Sequence, residues 1–308
     1  MDFGRRSNQK YTFRTPKLED LRKLVSLDTS TENFQDRYGK LLSILGTNME
    51  DGILNTLVQF YDSMYHCFSL PDYQLMPTLE EYPYLVGLPI SNLIPFSSLE
   101  EDPKPLDIAK DLHLKKSEIE AHMTSKSGIQ GIPAKFLIGR AHYFAGMRSV
   151  DAFEAIFALI IYGLVLFPNI DNFIDINAIK IFLIGNPVPT LLGDTYYFIH
   201  HMTSKSRGII VCCTPLLYKW FISHFSQSAS FWDLNNGLRC CGEFSNVPLL
   251  GTKGGINYNP VLARRQFGYA IRGKPNNIWL SSFYLKENED NRAFKEKIVR
   301  AWYNIQRK

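Results

Sequence analysis

Residues 136–185 read FLIGRAHYFAGMRSVDAFEAIFALIIYGLVLFPNIDNFIDINAIKIFLIG, and from Ala155 to Phe167 thirteen residues pass without a charge. An apolar run of that length with no alternating polar positions reads as a helix covered on every side. Ser149 stands where a cap belongs, and Asp151 and Glu154 fall in the first turn, at the positive end of the macrodipole. Pro168 cannot donate the next backbone bond and stops the run. One helix is therefore predicted over residues 151–166, the axle of a compact multi-helix domain. A membrane span needs about 20 apolar residues, and Glu154 and Asp171 bracket this run too closely for that. The expectation is a buried core helix and no membrane contact.

Working outward, helical spacing recurs on both sides. Leu18, Leu21, Leu24 and Val25 share one face; Phe34, Tyr38, Leu41, Leu42 and Leu45 share another, closed by Gly46. Thr47 with Glu50 has capping-box spacing ahead of a stripe from Ile53 to Tyr65, and Thr78 with Glu81 repeats it ahead of a short helix ending at Gly87. Pro133 suits the first turn of a helix to Gly146, Asp175 suits the cap of Ile176–Ile184, and Asp194 is predicted to cap TYYFIHHMTSK. Thr214 and Pro215 open LLYKWFISHF, and Phe294, Ile298, Trp302 and Ile305 mark a last amphipathic helix. No run of alternating β-branched residues stands out, so the fold class expected is all-α with long irregular loops. The organisation expected is a flexible basic arm over 1–16, a helical core over 17–225, and an irregular basic segment plus C-terminal helices over 226–308, packed on the same domain.

The chain has 308 residues, 45% of them hydrophobic, with a formal net charge of +4. That is enough apolar material for a substantial core. Five cysteines, four of them in the adjacent pairs Cys212–Cys213 and Cys240–Cys241, do not form a disulfide framework in a chain of this size and point to a reducing compartment. The first residues lack an apolar signal region, so an intracellular location is expected. Charge is uneven: residues 1–23 hold seven Lys or Arg against three acids, and Phe244 to Lys286 hold six basic residues and no acid. The second stretch interleaves Tyr258, Phe267, Tyr269, Trp279, Phe283 and Tyr284, a combination suited to following a phosphate backbone and stacking on bases. It is also the composition of a solvated rim with inward-packed aromatics. Lys253, Arg264, Arg265, Arg272 and Lys274 are the expected contacts to a protein or nucleic-acid partner.

Candidate chemistry is sparse. His200 and His201 precede Cys212 and Cys213 by about a dozen residues, but zinc sites usually place paired ligands two to four residues apart rather than side by side. Asp171 and Asp175, with Asp194 beyond them, suggest a divalent-cation site of a metal-dependent hydrolase or nuclease; Asp175 serves equally as a helix cap. The glycines of GTKGG at 251–255 lack the Walker pattern and a preceding strand, so a turn is expected. His66 and Cys67 are neighbours in sequence and would point apart on a helix; both are expected to pack. No catalytic, cofactor-binding or metal-binding residue is therefore assigned, and the metal-dependent enzyme stands as the alternative.

Several blocks resemble a known group. LRKLVSLDTSTENFQDRYGKLLSIL, LEEYPYLVGLPI, IAKDLHLKKSEIE, the stretch from FEAIFALIIYGLVLF to LLYKWFISHF, and CGEFSNVPLLGTKGGINYNPVLARRQFGYAIRGKP occur in this order. They are similar to plant proteins, frequent in legumes, that are related to the plant mobile domain of transposable elements. The resemblance covers nearly the whole chain and departs from its relatives near Leu238 to Cys241, where they carry a longer aromatic-rich segment. It implies a non-catalytic module of transposable-element origin and a nuclear location, and it brings no catalytic motif; a decayed element product without activity stands as a further alternative.

Overall fold

A computed structural model describes residues 11–16, 18–27, 31–50, 52–63, 65–71, 74–89, 94–205, 207–224, 247–258 and 292–304. The described residues start with strand β1 (Tyr11–Phe13) and short helices α1 (Glu19–Val25), α2 (Thr31–Tyr38), α3 (Leu41–Leu45) and α4 (Ile53–Gln59). Strands β2 (Tyr61–Asp62), β3 (Cys67–Ser69) and β4 (Gln74–Leu75) follow, then α5 (Glu81–Val86), α6 (Pro105–Asp111) and α7 (Lys116–His122). A hairpin of β5 (Thr124–Lys126) and β6 (Ile129–Pro133) leads into α8 (Ala134–Gly146) and the central α9 (Val150–Ile161). Next come β7 (Phe173–Asp175), α10 (Ile176–Ile184), α11 (Val188–Ser204), β8 (Gly208–Ile210) and α12 (Thr214–Ser223). Strands β9 (Val247–Leu250) and β10 (Gly255–Tyr258) and helix α13 (Arg292–Asn304) complete the described chain.

The axle is where the charge-free run placed it. α9 continues through a π-helical turn, Tyr162–Leu166, closed by a bond from the Phe167 amide to the Tyr162 carbonyl at 2.9 Å. Ile156 to Ile161 are fully buried, which is why the sequence there carries no polar face. Ser149 is the N-cap but its side chain makes no capping bond. The two first-turn acids serve a tertiary contact instead: Arg37, on α2, pairs with exposed Asp151 and reaches the fully buried Glu154 at 3.5 Å. α8 packs along α9, and the Phe34 ring of α2 lies 5.7 Å from that of Phe157. Among the described residues no helix is long and apolar enough to cross a membrane.

The all-α expectation is overturned. Among the described residues 55% are helical and 15% lie in strands, in four small sheets, making a mixed α/β fold. Sheet β5-β6-β7 is antiparallel, with Ile132 opposite Ile174; β2-β3-β4 and β9-β10 are also antiparallel, and β1 pairs β8 in parallel, Tyr11 opposite Gly208. The reason for the error is physical. Strands of two to five residues are too short to show alternation, and β6 contains both Gly131 and Pro133, which read as a break.

Other boundaries move for identifiable reasons. The helix expected over Phe34 to Leu45 is split into α2 and α3 by Gly39, which adopts φ +68° against the Val86 carbonyl, a conformation and an approach that a Cβ would obstruct. The stripe from Ile53 to Tyr65 stops at Gln59 and becomes sheet, and Thr47 donates back to Ser43 O at 3.1 Å instead of capping α4. Of the expected arm, Tyr11–Phe13 pair with β8; residues 1–10 lie outside the described residues. The Pro133 and Asp175 helix starts hold, the latter through a bond from the Ala178 amide to Asp175 Oδ1 at 2.8 Å.

Candidate functional site

Three buried polar clusters hold peripheral elements onto the core. The first is built on the Thr78–Glu81 capping box, which forms as its spacing predicts: the Thr78 amide and hydroxyl donate to Glu81 Oε2 at 3.1 and 2.7 Å, and the Glu81 amide donates to Thr78 Oγ1 at 3.1 Å. Local spacing does not reveal the rest. Trp220 Nε1, on α12, donates to the same oxygen at 3.0 Å, and His224 Nε2 lies 2.9 Å from Oε1. Glu81, Thr78 and Trp220 are all fully buried. Around them Tyr196 donates to the Pro77 carbonyl at 2.7 Å, and Tyr258 of β10 donates to Glu80 at 2.9 Å. Burial pushes the Glu80 carboxyl above its usual range, with the Tyr258 bond acting the other way.

The second cluster corrects the reading of Asp194. α11 begins at Val188, with a proline in its first turn, so Asp194 lies inside the helix and caps nothing. Its carboxylate receives the Thr252 amide at 2.7 Å and the Thr252 hydroxyl at 3.1 and 3.0 Å. Thr252 sits in the GTKGG turn between β9 and β10, closed by the Gly251 amide on the Gly254 carbonyl at 2.7 Å. The glycines are there because the turn is pressed onto α11: a Cβ on Gly251 would strike Asp194, and one on Gly254 would strike the Tyr197 ring. Thr252 Oγ1 also lies 3.4 Å from Asn169 Oδ1, and Asn169 Nδ2 donates to Asp175 Oδ2 at 2.9 Å. Burial pushes the Asp194 carboxyl up to about 7, with the Thr252 bonds acting in the opposite direction and the Asp175 charge adding to the rise.

The third cluster pairs His66 with His200, ring centroids 4.9 Å apart and edge to face, with Tyr61 6.2 Å from His200. Burial first, then its histidine neighbour, pushes His66 down to about 4; burial likewise lowers His200. His201 turns away to stack on Tyr197. Cys67, Cys212 and Cys213 are buried and form no disulfide; burial raises the Cys212 thiol and pushes that of Cys213 up to about 12, so these two are protonated at neutral pH.

The groups considered for metal therefore go to separate tasks. Asp171 is exposed and lies 3.9 Å from Arg14, Asp175 caps α10, and Asp194 holds the β9-β10 turn. Among the described residues no group of three or more His, Cys, Asp or Glu is placed to hold a metal ion. Of the expected partner contacts, Lys253 is half-buried in the β9-β10 turn; Arg264, Arg265, Arg272 and Lys274 lie outside the described residues.

A basic surface that sequence reading passed over lies on α8. Residues 121–150 contain Lys126, Lys135, Arg140 and Arg148 and no acid. Lys135, His142 and Arg148 are exposed, Tyr143 is 50% and Met147 65% exposed, and the Arg140 guanidinium sits 4.5 Å from the Tyr143 ring centroid. Arg140 also pairs with Glu118 at 3.3 Å. Counting acids in windows along the whole chain would have found this stretch. A cleft of about 860 Å³ is lined by Phe13, Arg22, Met49, Asn55, Thr214 and Tyr218 among others.

Fold and clusters define a mainly helical, mixed α/β protein whose buried carboxylates act as internal struts. The chain belongs to the family of the Domain of unknown function (DUF7745), whose model matches residues 18–240 and 230–308. The two segments overlap at 230–240. No curated protein and no solved structure matches the chain.

Proposed function

We propose that the chain is a non-catalytic binding module that engages a protein or nucleic-acid partner through basic surface, including Lys253, Arg264, Arg265, Arg272 and Lys274. The observation that supports this reading is the division of labour between the charged side chains. Glu81, Asp175 and Asp194 are buried and bonded to donors of their own chain, whereas basic residues gather in two stretches free of acids, 121–150 and 244–286. Carboxylates buried against donors of their own chain are out of hydrogen-bond reach of a substrate, while clustered cations attract polyanions. The reading extends to transposable-element origin and nuclear residence, which rest on the resemblance of the sequence blocks alone.

Gel-shift titration across salt concentrations tests the nucleic-acid version. The expected result is an affinity whose logarithm falls linearly with the logarithm of salt, with a slope of about −0.7 per phosphate contacted on a single strand. An affinity indifferent to salt, or no binding, overturns it. Elemental analysis of the purified chain is expected to find no stoichiometric metal; finding one would restore the metal-dependent alternative.

A further inference from the structure

The basic face of α8 carries a feature that the fold does not use. Lys135, Gly139, His142 and Gly146 are spaced four, three and four residues apart, so they share one side of the helix, and all four are exposed. A Cβ added to Gly139 or Gly146 would meet nothing within 4 Å, and neither glycine adopts positive φ. Glycine weakens a helix relative to alanine, and nothing among the described residues touches the vacated space or requires the backbone freedom. The strip is thus bare backbone flanked by cations, with the half-exposed Tyr143 beside it and exposed Arg148 just past its end. Acids near it are engaged: Glu118 pairs with Arg140 and accepts the Lys115 amide at 2.9 Å, and Glu120 pairs with Lys116 at 3.1 Å.

We infer that this face of α8 binds single-stranded nucleic acid. Phosphates lie against Lys135, His142 and Arg148, and the sugar-phosphate backbone comes close to the helix over Gly139 and Gly146. One base stacks on Tyr143, whose ring the Arg140 guanidinium already contacts. The charge of the face selects a polyanion, and the exposed ring selects one with free bases, because a base paired in a duplex cannot reach it. The inference rests on the binding-module reading and assigns the interface to residues 135–148 of the chain.

The test uses the full chain and a fluorescein-labelled oligothymidylate of about 20 nucleotides, longer than the roughly 4–16 nucleotides of a common single-strand site. Wild type is expected to bind with a salt-dependent affinity. The double variant Gly139→Ala/Gly146→Ala is expected to raise the denaturation midpoint and yet bind about tenfold more weakly, opposite signs that a purely structural role would not produce. Tyr143→Ala is expected to weaken binding about tenfold at unchanged salt slope, and Lys135→Gln/Arg148→Gln to reduce the slope by about 1.4. If wild type binds and all these variants match it, the α8 site is overturned while the binding-module reading stands. If wild type ignores the oligothymidylate, the inference falls and so does the nucleic-acid form of that reading. Binding of poly-glutamate in its place, lost in the α8 variants, assigns the face to an acidic protein and overturns the nucleic-acid partner.

Discussion

Glu81→Ala is expected to lower the free energy of unfolding by about 4 kcal/mol, read as a fall in the denaturant midpoint at constant slope. The size follows from what the carboxylate holds. Its Oε2 accepts the Thr78 amide, the Thr78 hydroxyl and Trp220 Nε1, and its Oε1 faces His224. Removing it strands several buried donors at once, each costing about 1–3 kcal/mol when left unpaired. It also cuts the tie between α5 and α12. Glu81→Gln keeps one acceptor oxygen and most of the volume, so it should cost about 1–2 kcal/mol. A single-domain protein is stable by only about 5–15 kcal/mol, so the alanine variant sits near the limit of folding at body-warm temperatures. A loss below about 1 kcal/mol would show that the cluster is not a strut.

Asp194→Asn is expected to change how stability depends on pH. The folded carboxyl titrates at about 7, against about 4 in an unfolded chain. Between those values the folded state holds a proton that the unfolded state has released. Stability from this group is therefore fully present below about pH 4, declines as pH rises to about 7, and is level above it, a span of about 4 kcal/mol. His66 acts with the opposite sign: its folded value of about 4 lies below the unfolded value of about 6.5, so stability is lost as pH falls through that window. The wild-type curve thus mixes two opposing slopes, and the difference between wild type and Asp194→Asn isolates one of them. Asparagine resembles the protonated acid and can donate to Thr252 Oγ1. The variant should match wild type near pH 4 and gain on it progressively to pH 8. A gap that stays constant with pH would mean that Asp194 is ionised in the fold throughout.

What could be read from the sequence was what neighbouring residues decide. The central helix announced itself through the absence of charge from Ala155 to Phe167 and the stop at Pro168, and it lies at Val150–Ile161 with its π-helical extension to Leu166. The Thr78–Glu81 box and the Asp175 cap also formed, because each involves residues three apart. What escaped depends on distance along the chain. Trp220 meets Glu81 from 139 residues away and Thr252 meets Asp194 from 58, and no local pattern encodes either meeting. Asp194 read as a cap because its residue type fits one, but the helix start at Val188 puts it in the interior. The short strands were lost for a different reason: β2 and β4 have two residues each, too few for any period. Lys135, His142 and Arg148 were legible in composition, since residues 121–150 carry no acid, but the stretch is shorter and less rich in basic residues than 244–286.

The central claim is that α9 is sheltered by the rest of the chain and that the polar struts keep it so. Amide hydrogen exchange measures this directly. The amides of Ala155 to Ile161, fully or almost fully buried, are predicted to exchange only through global unfolding, with an opening free energy equal to the denaturant value and falling with it in Glu81→Ala. Exchange of these amides at rates like those on the exposed strip of α8, or indifference to the loss of Glu81, would contradict the account.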